Sequence, residues 1–200
     1  MKAEYIAAHA TNYTAGRTAA IDRIVLHYTA GDGDTAENNG RFFQGADRNA
    51  SAHYFVDEDT IVMSVREQDT AWHAGNWNMN CRSIGIEMCS YKDVDGNYYI
   101  SKGTIETAVK LTREVMRRYG ISAEHVIRHY DVTKKHCPEP FVRNPALWED
   151  FKKQIAMSSE SAAARNLVKA KAGLSDATMD YLSAYRWGED LIRKLAKAMK

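Results

Sequence analysis

Hydrophobic positions change period several times along the chain. Runs rich in Ile, Val and aromatic residues at 24–29, 52–56, 61–65, 83–88 and 126–129 have the length and composition of strands. The link "DEDT" at 57–60 reads as a hairpin turn between the second and third runs. From 104 to 119 the period becomes helical, with Ile105, Ala108, Val109, Thr112, Val115, Met116 and Tyr119 on one face and Gly120 as the stop. A shorter helix is expected at 35–43. Another should follow Asn144-Pro145, with Asn as cap and Pro at the first helical position, burying Trp148, Phe151 and Ile155. Strands and helices alternate irregularly. The pattern predicts an α/β domain with a mixed central β-sheet flanked by helices, spanning residues 1–157.

Residues 158–200 form a different region. "SSESAAARNLVKAKAG" is Ser/Ala-rich and predicts a weakly hydrophobic helix ending at Gly173. The remainder opens on a Ser175 cap and places Tyr181, Leu182, Tyr185, Ile192, Leu195 and Met199 on one helical face. Two short helices do not readily bury such a stripe alone. This small C-terminal helical extension is therefore expected to dock on the main domain, on a second copy, or on a target surface, with cell-wall binding or self-association as its role.

Composition narrows the partners. The 200 residues are 44% hydrophobic and 26% charged, with a formal net charge of +1. Residues 158–200 hold eight basic against five acidic residues (+3), leaving 19 against 21 (−2) elsewhere. Neither balance argues for nucleic acid as a partner. No run approaches the roughly 20 apolar residues that span a bilayer, so membrane insertion is not expected. The opening "MKAEYIAAHATNYTAGRTAA" lacks the apolar stretch of a signal peptide, which predicts retention in the cytoplasm until another agent releases the protein. Cys81, Cys89 and Cys137 are too few and too odd for a disulfide framework; metal binding or burial suits them better.

Two of the strand runs end in histidine. His27 closes "IVLH", His129 closes "VIRH", and Cys137 follows eight residues after His129. Imidazole nitrogen and thiolate sulfur are preferred zinc donors, and a catalytic zinc keeps a fourth position open. Strand ends hold ligands at fixed separations, and Pro138 restricts the backbone beside the thiol. Singly, such a histidine is more often a hydrogen-bonded structural residue and such a cysteine a small buried hydrophobe; the combination is what points to metal.

Four segments, "IVLHYTAG", "SAHYFVDEDT", "TAWHAGNWNMNCRSIGIEMC" and "VIRHYDVTKKHCPEP", together resemble zinc-dependent N-acetylmuramoyl-L-alanine amidases. That superfamily includes amidase-type phage lysozymes and peptidoglycan recognition proteins, and the likeness runs over roughly residues 20–156. It is strongest toward the endolysins and autolysins of Gram-positive bacteria and their phages. The resemblance implies a mixed sheet with zinc in a groove, held by His27, His129 and Cys137, and hydrolysis of the amide joining the lactyl group of N-acetylmuramic acid to L-alanine. Two neutral imidazoles and one thiolate would leave a zinc site near +1, so a separate base becomes valuable. Glu87, a lone carboxylate in an apolar strand, is the candidate for general base and later proton donor. Lys135 is expected to stabilise the oxyanion, whereas alternation points Lys134 away. Some branches of the family carry a tyrosine where this chain has Ala52, which adds weight to Glu87. For the substrate side of the groove the candidates are His73 with Trp72 beside it, and His53, mid-strand next to Tyr54, which suits a core position as well. The implied setting is a phage or prophage endolysin acting on peptidoglycan. A muropeptide-binding protein without hydrolytic activity and a cytoplasmic muropeptide-recycling amidase are the alternatives.

Overall fold

Six strands pair into one sheet: β1 (Glu4–Tyr5), β2 (Arg23–Tyr28), β3 (Tyr54–Val56), β4 (Ile61–Met63), β5 (Ser83–Met88) and β6 (Val126–Arg128), in the order β1-β4-β3-β5-β2-β6. The computed structural model describes residues 2–156, 159–185 and 187–199. Every neighbouring pair is parallel except the β3–β4 hairpin, which closes through the Asp57 N–H donating to the Thr60 carbonyl at 3.1 Å. The sheet is therefore mixed, and its central strands are covered on both faces. This explains why Ile24, Val25 and Leu26 are all fully buried.

Helices sort the two faces. Ile24, Leu26, Ile84 and Ile86 belong to the main core with Ala108, Leu111 and Val115 of α3 (Lys102–Tyr119) and with Phe151 and Ile155 of α6 (Pro145–Ala156). The α3 helix ends at Gly120 in the left-handed region (φ 66°), as its position predicts. The Asn144 side chain accepts from the Ala146 N–H at the start of α6. On the opposite face, α1 (Ala36–Gln44), capped by Thr35, packs Ala36 with Phe55 and Val62. A short helix, α2 (Trp77–Arg82), leads into β5. The last predicted strand stops one residue early. Asp131 accepts from the Arg128 backbone N–H at 2.9 Å, so His129 opens the short helix α4 (His129–Thr133), and α5 (Glu139–Arg143) follows.

The chain divides into two compact units, Met1–Ile155 and Ala156–Lys200. The second contains α7 (Ser159–Ala172), α8 (Asp176–Ser183) and α9 (Gly188–Ala198), closed around Ala164, Val168, Met179, Ile192 and Ala196. Here the single aromatic stripe read from the sequence is corrected. The chain turns between Ser183 and Gly188 so tightly that a Cβ on Gly188 would sit 2.0 Å from the Leu182 carbonyl oxygen. Two helices replace one, the phase is lost, and Tyr181 and Tyr185 emerge 65% and 57% exposed, whereas Leu182, Leu195 and Met199 stay packed on the core.

Candidate metal centre and catalytic groove

His27 and Glu87 are direct partners across the β2–β5 pair, so their side chains leave the same face of the sheet. Parallel pairing of β2 with β6 brings the residue after β6 alongside: the Nδ1 atoms of His27 and His129 are 3.1 Å apart. The α4 turn then returns the chain, with the Tyr130 N–H donating to the Cys137 carbonyl at 2.8 Å. That return sets the Cys137 Sγ 3.7 Å from His27 Nδ1. All three donor atoms lie within 4.8 Å of one another, and all three residues are buried.

The protonation states suit a cation. Burial, reinforced by His73 and His129, holds His27 well below the usual imidazole range, and burial followed by the Lys135 charge lowers His129. Both rings are thus neutral, the form that offers a lone pair to metal. Burial, with help from Glu87, pushes the Cys137 thiol up to about 12, while the Tyr28 backbone N–H donating to the sulfur works in the opposite direction. A thiolate in this place calls for a positive ion beside it. The buried His27–His129–Cys137 set can therefore hold a metal ion.

Glu87 lies in the central strand β5. Its Oε2 is buried and has no hydrogen-bond partner among the described residues, and burial raises the carboxyl to about 8 against the pull of the Lys135 charge. Lys135 is exposed at the loop that precedes Cys137, and its charge reaches His27, His129, Glu87 and Cys137. Lys134 instead caps α4 at φ 65° and lies over the Tyr130 ring, 5.2 Å from its centre.

The remaining candidates are His73, His53 and Trp72. His73 is only 8% exposed, with Nδ1 3.0 Å from His27 Nε2 and Nε2 3.2 Å from Ser83 Oγ, and burial lowers it to about 3. Both of its nitrogens are engaged within the fold, leaving none for a substrate peptide. His53 is fully buried: its Nδ1 accepts from the Gly85 N–H at 2.9 Å, and its Nε2 faces the Asp69 carbonyl and the Arg17 guanidinium. Trp72 is half-buried, and its indole N–H donates to Thr14 Oγ1 at 3.0 Å.

Two residues absent from the sequence reading support this arrangement. Arg17 donates to the carbonyls of Asn80, Cys81 and Ser83 at the C-terminal end of α2, where a cation satisfies otherwise unpaired oxygens. Gly85 admits His73, because a Cβ there would come within 2.5 Å of the His73 ring. A lone glycine inside a buried strand was the available signal for that close approach.

The family pattern of N-acetylmuramoyl-L-alanine amidases matches residues 17–140. A probable N-acetylmuramoyl-L-alanine amidase of Bacillus licheniformis is 35% identical over 176 residues, which cover 81% of this chain and 48% of that protein. Among solved structures, the catalytic domain of XlyA superposes with a TM-score of 0.67 at 27% identity, over 78% of this chain and 99% of that domain. A mutant endolysin from Bacillus subtilis does so with a TM-score of 0.66, again at 27% identity, over 78% of this chain and 99% of that one. With this fold and this His-His-Cys site, the chain belongs to the N-acetylmuramoyl-L-alanine amidase family. It spans about half the length of the curated relatives it matches. No helix among the described residues is long and apolar enough to cross a membrane.

Proposed function

We propose that this chain hydrolyses the amide between the lactyl group of N-acetylmuramic acid and the L-alanine of the stem peptide in peptidoglycan. One observation carries the reading: two Nδ1 atoms and one Sγ converge beside a carboxyl that has a bare, buried oxygen. Two imidazoles and a thiolate are a donor set suited to zinc, and three protein ligands leave room for water or substrate. When bound, zinc supplies Lewis-acid polarisation of the amide carbonyl and a more acidic water.

The chain's own groups provide the proton traffic. Glu87 takes a proton from the attacking water as the water oxygen bonds to the carbonyl carbon. It returns that proton to the nitrogen as the C–N bond breaks, giving a lactyl carboxyl group, which keeps the second proton of the water until it passes to the amine, and a free alanine N-terminus. In its ionised form, which a bound cation favours, its raised affinity for protons makes it the stronger base toward the water. The Lys135 cation offsets the negative charge that builds on the carbonyl oxygen between the two steps. His27, His129 and Cys137 are the residues that would hold zinc.

The biological setting that fits is an endolysin released onto the wall. For the C-terminal unit we propose wall binding, supported by the exposed rings of Tyr181, Tyr185 and Trp187, whose flat faces suit stacking on sugar. Truncation at residue 157, followed by wall pull-down and mass measurement, separates wall binding from self-association. The activity itself is tested by mass spectrometry of digested wall fragments. Free lactyl carboxyl groups paired with free alanine N-termini are expected. Cleavage of another bond overturns the assignment, and intact wall returns the chain to muropeptide binding alone.

A further inference from the structure

The segment His73–Ala74 touches both imidazoles of the metal centre from behind, and its contacts run in one direction. The Met79 carbonyl lies in the last turn of α2, where it has no helical partner and can only accept. Ser83 Oγ, 2.5 Å away, therefore donates its hydrogen to Met79. The Ser83 oxygen is then an acceptor toward His73 Nε2 at 3.2 Å, which fixes the His73 proton on Nε2. His73 Nδ1, now a bare lone pair, must receive the Nε2 proton of His27 across 3.0 Å. That leaves His27 Nδ1 unprotonated, facing His129 Nδ1 and Cys137 Sγ. The same segment borders the other ring: a Cβ at Gly75 would lie 3.5 Å from Thr133 Cγ2 and 3.6 Å from His129 Nε2. The segment is itself pinned, since Asn80 Oδ1 accepts from the N–H groups of both His73 and Ala74 at 3.2 and 2.8 Å.

We infer that His73, Ser83 and Asn80 are positioning residues that fix the tautomer of His27, so that its ring presents an unprotonated Nδ1 to the metal before it arrives. The inference rests on the zinc reading above and assigns His73 to the support of a ligand in place of substrate contact. Without the Ser83 hydroxyl, His73 is free to carry its proton on Nδ1. It would then donate to His27 Nε2 and drive the His27 proton onto Nδ1, the atom the metal needs.

Long-range proton–nitrogen NMR of histidine-labelled, metal-free protein reads the tautomers directly. The wild type should show His27 and His73 both protonated at Nε2. Ser83→Ala should move His27 toward the Nδ1 form and raise the zinc Kd by about 10–100-fold, the range for loss of an outer partner of a metal ligand. Ser83→Thr, which keeps the hydroxyl, should restore both readings, a rescue that a packing role would not produce. Gly85→Ala, which crowds the His73 ring, should weaken zinc in the same way. A wild-type His27 protonated at Nδ1, or a Ser83→Ala variant that binds zinc as the wild type does, overturns the inference. If the wild-type tautomers are as assigned but the protein takes up no zinc, the zinc reading fails while the tautomer assignment stands, so the two failures are distinguishable.

Discussion

The two faces of the central sheet are built from the same strands and serve opposite ends. Toward α3 and α6, Ile24, Leu26, Ile84 and Ile86 are wholly buried among apolar neighbours, and their burial is worth about 1.5–3 kcal/mol for each such side chain. One residue along each strand, the other face presents His27, Gly85 and Glu87, with His53 and His73 packed behind. There, burial works against charge: the imidazoles are held neutral and Glu87 is held protonated well above the ordinary carboxylate range. One face stores stability. The other uses some of it to keep polar groups dry and aimed.

That contrast can be broken by substitution. Cys137→Ala removes one of the three converging donors, and hydrolysis of purified wall should fall about 10⁴-fold or more, a large part of the ~10⁶-fold or greater acceleration typical of enzymes. Bound zinc, read by atomic absorption, should fall with it. Glu87→Gln should lower hydrolysis by about 10²–10⁴-fold, the usual worth of a general acid–base group, while zinc content is unchanged. On the apolar face, Leu26→Ala should reduce unfolding free energy by about 2–5 kcal/mol, measured by denaturant titration, with zinc stoichiometry intact below the transition. An equal loss of zinc in this variant would show that the two faces are not separable. Lys135→Ala should slow hydrolysis by about 10²–10³-fold, whereas Lys134→Ala leaves it within about twofold because that ammonium lies on Tyr130.

A further effect is one of pH. Burial raises the Glu87 carboxyl from 4.5 to about 8, so the folded state disfavours its ionised form. Its contribution to stability is present below the unfolded value and is lost as pH climbs toward the folded one. Glu87→Gln does not titrate. In chelator-treated protein, its Tm relative to the wild type should therefore rise across pH 4.5–8 and level off above, and a gap that narrows with pH would contradict the burial of this carboxyl.

Much of the fold was legible because its causes are local. Alternation and β-branching marked β5 at Ser83–Met88, and Thr35, Gly120 and Ser175 announced helix ends through short-range hydrogen bonds or a left-handed turn. The helical period failed beyond Ser183, where a close approach at Gly188, rather than composition, decided that one stripe would become two helices. The site divides in the same way. His27, Glu87, His129 and Cys137 stand out as polar residues in or beside apolar runs, but no local pattern says that they meet. Parallel pairing of β2 with both β5 and β6 decided that, by setting residues 60 and 102 positions from His27 beside it.

By itself, then, the sequence determined most of the strands and helices up to Ser183, which polar side chains interrupt apolar runs, and the family they signal, since each follows from periodicity, capping and residue type. Only the tertiary structure decided that His73 stands beside His27, that Arg17 braces the end of α2, and that Gly85 must stay small. Those assignments depend on contacts between segments far apart along the chain, and directional hydrogen bonds acquire a sense only once both partners are in place.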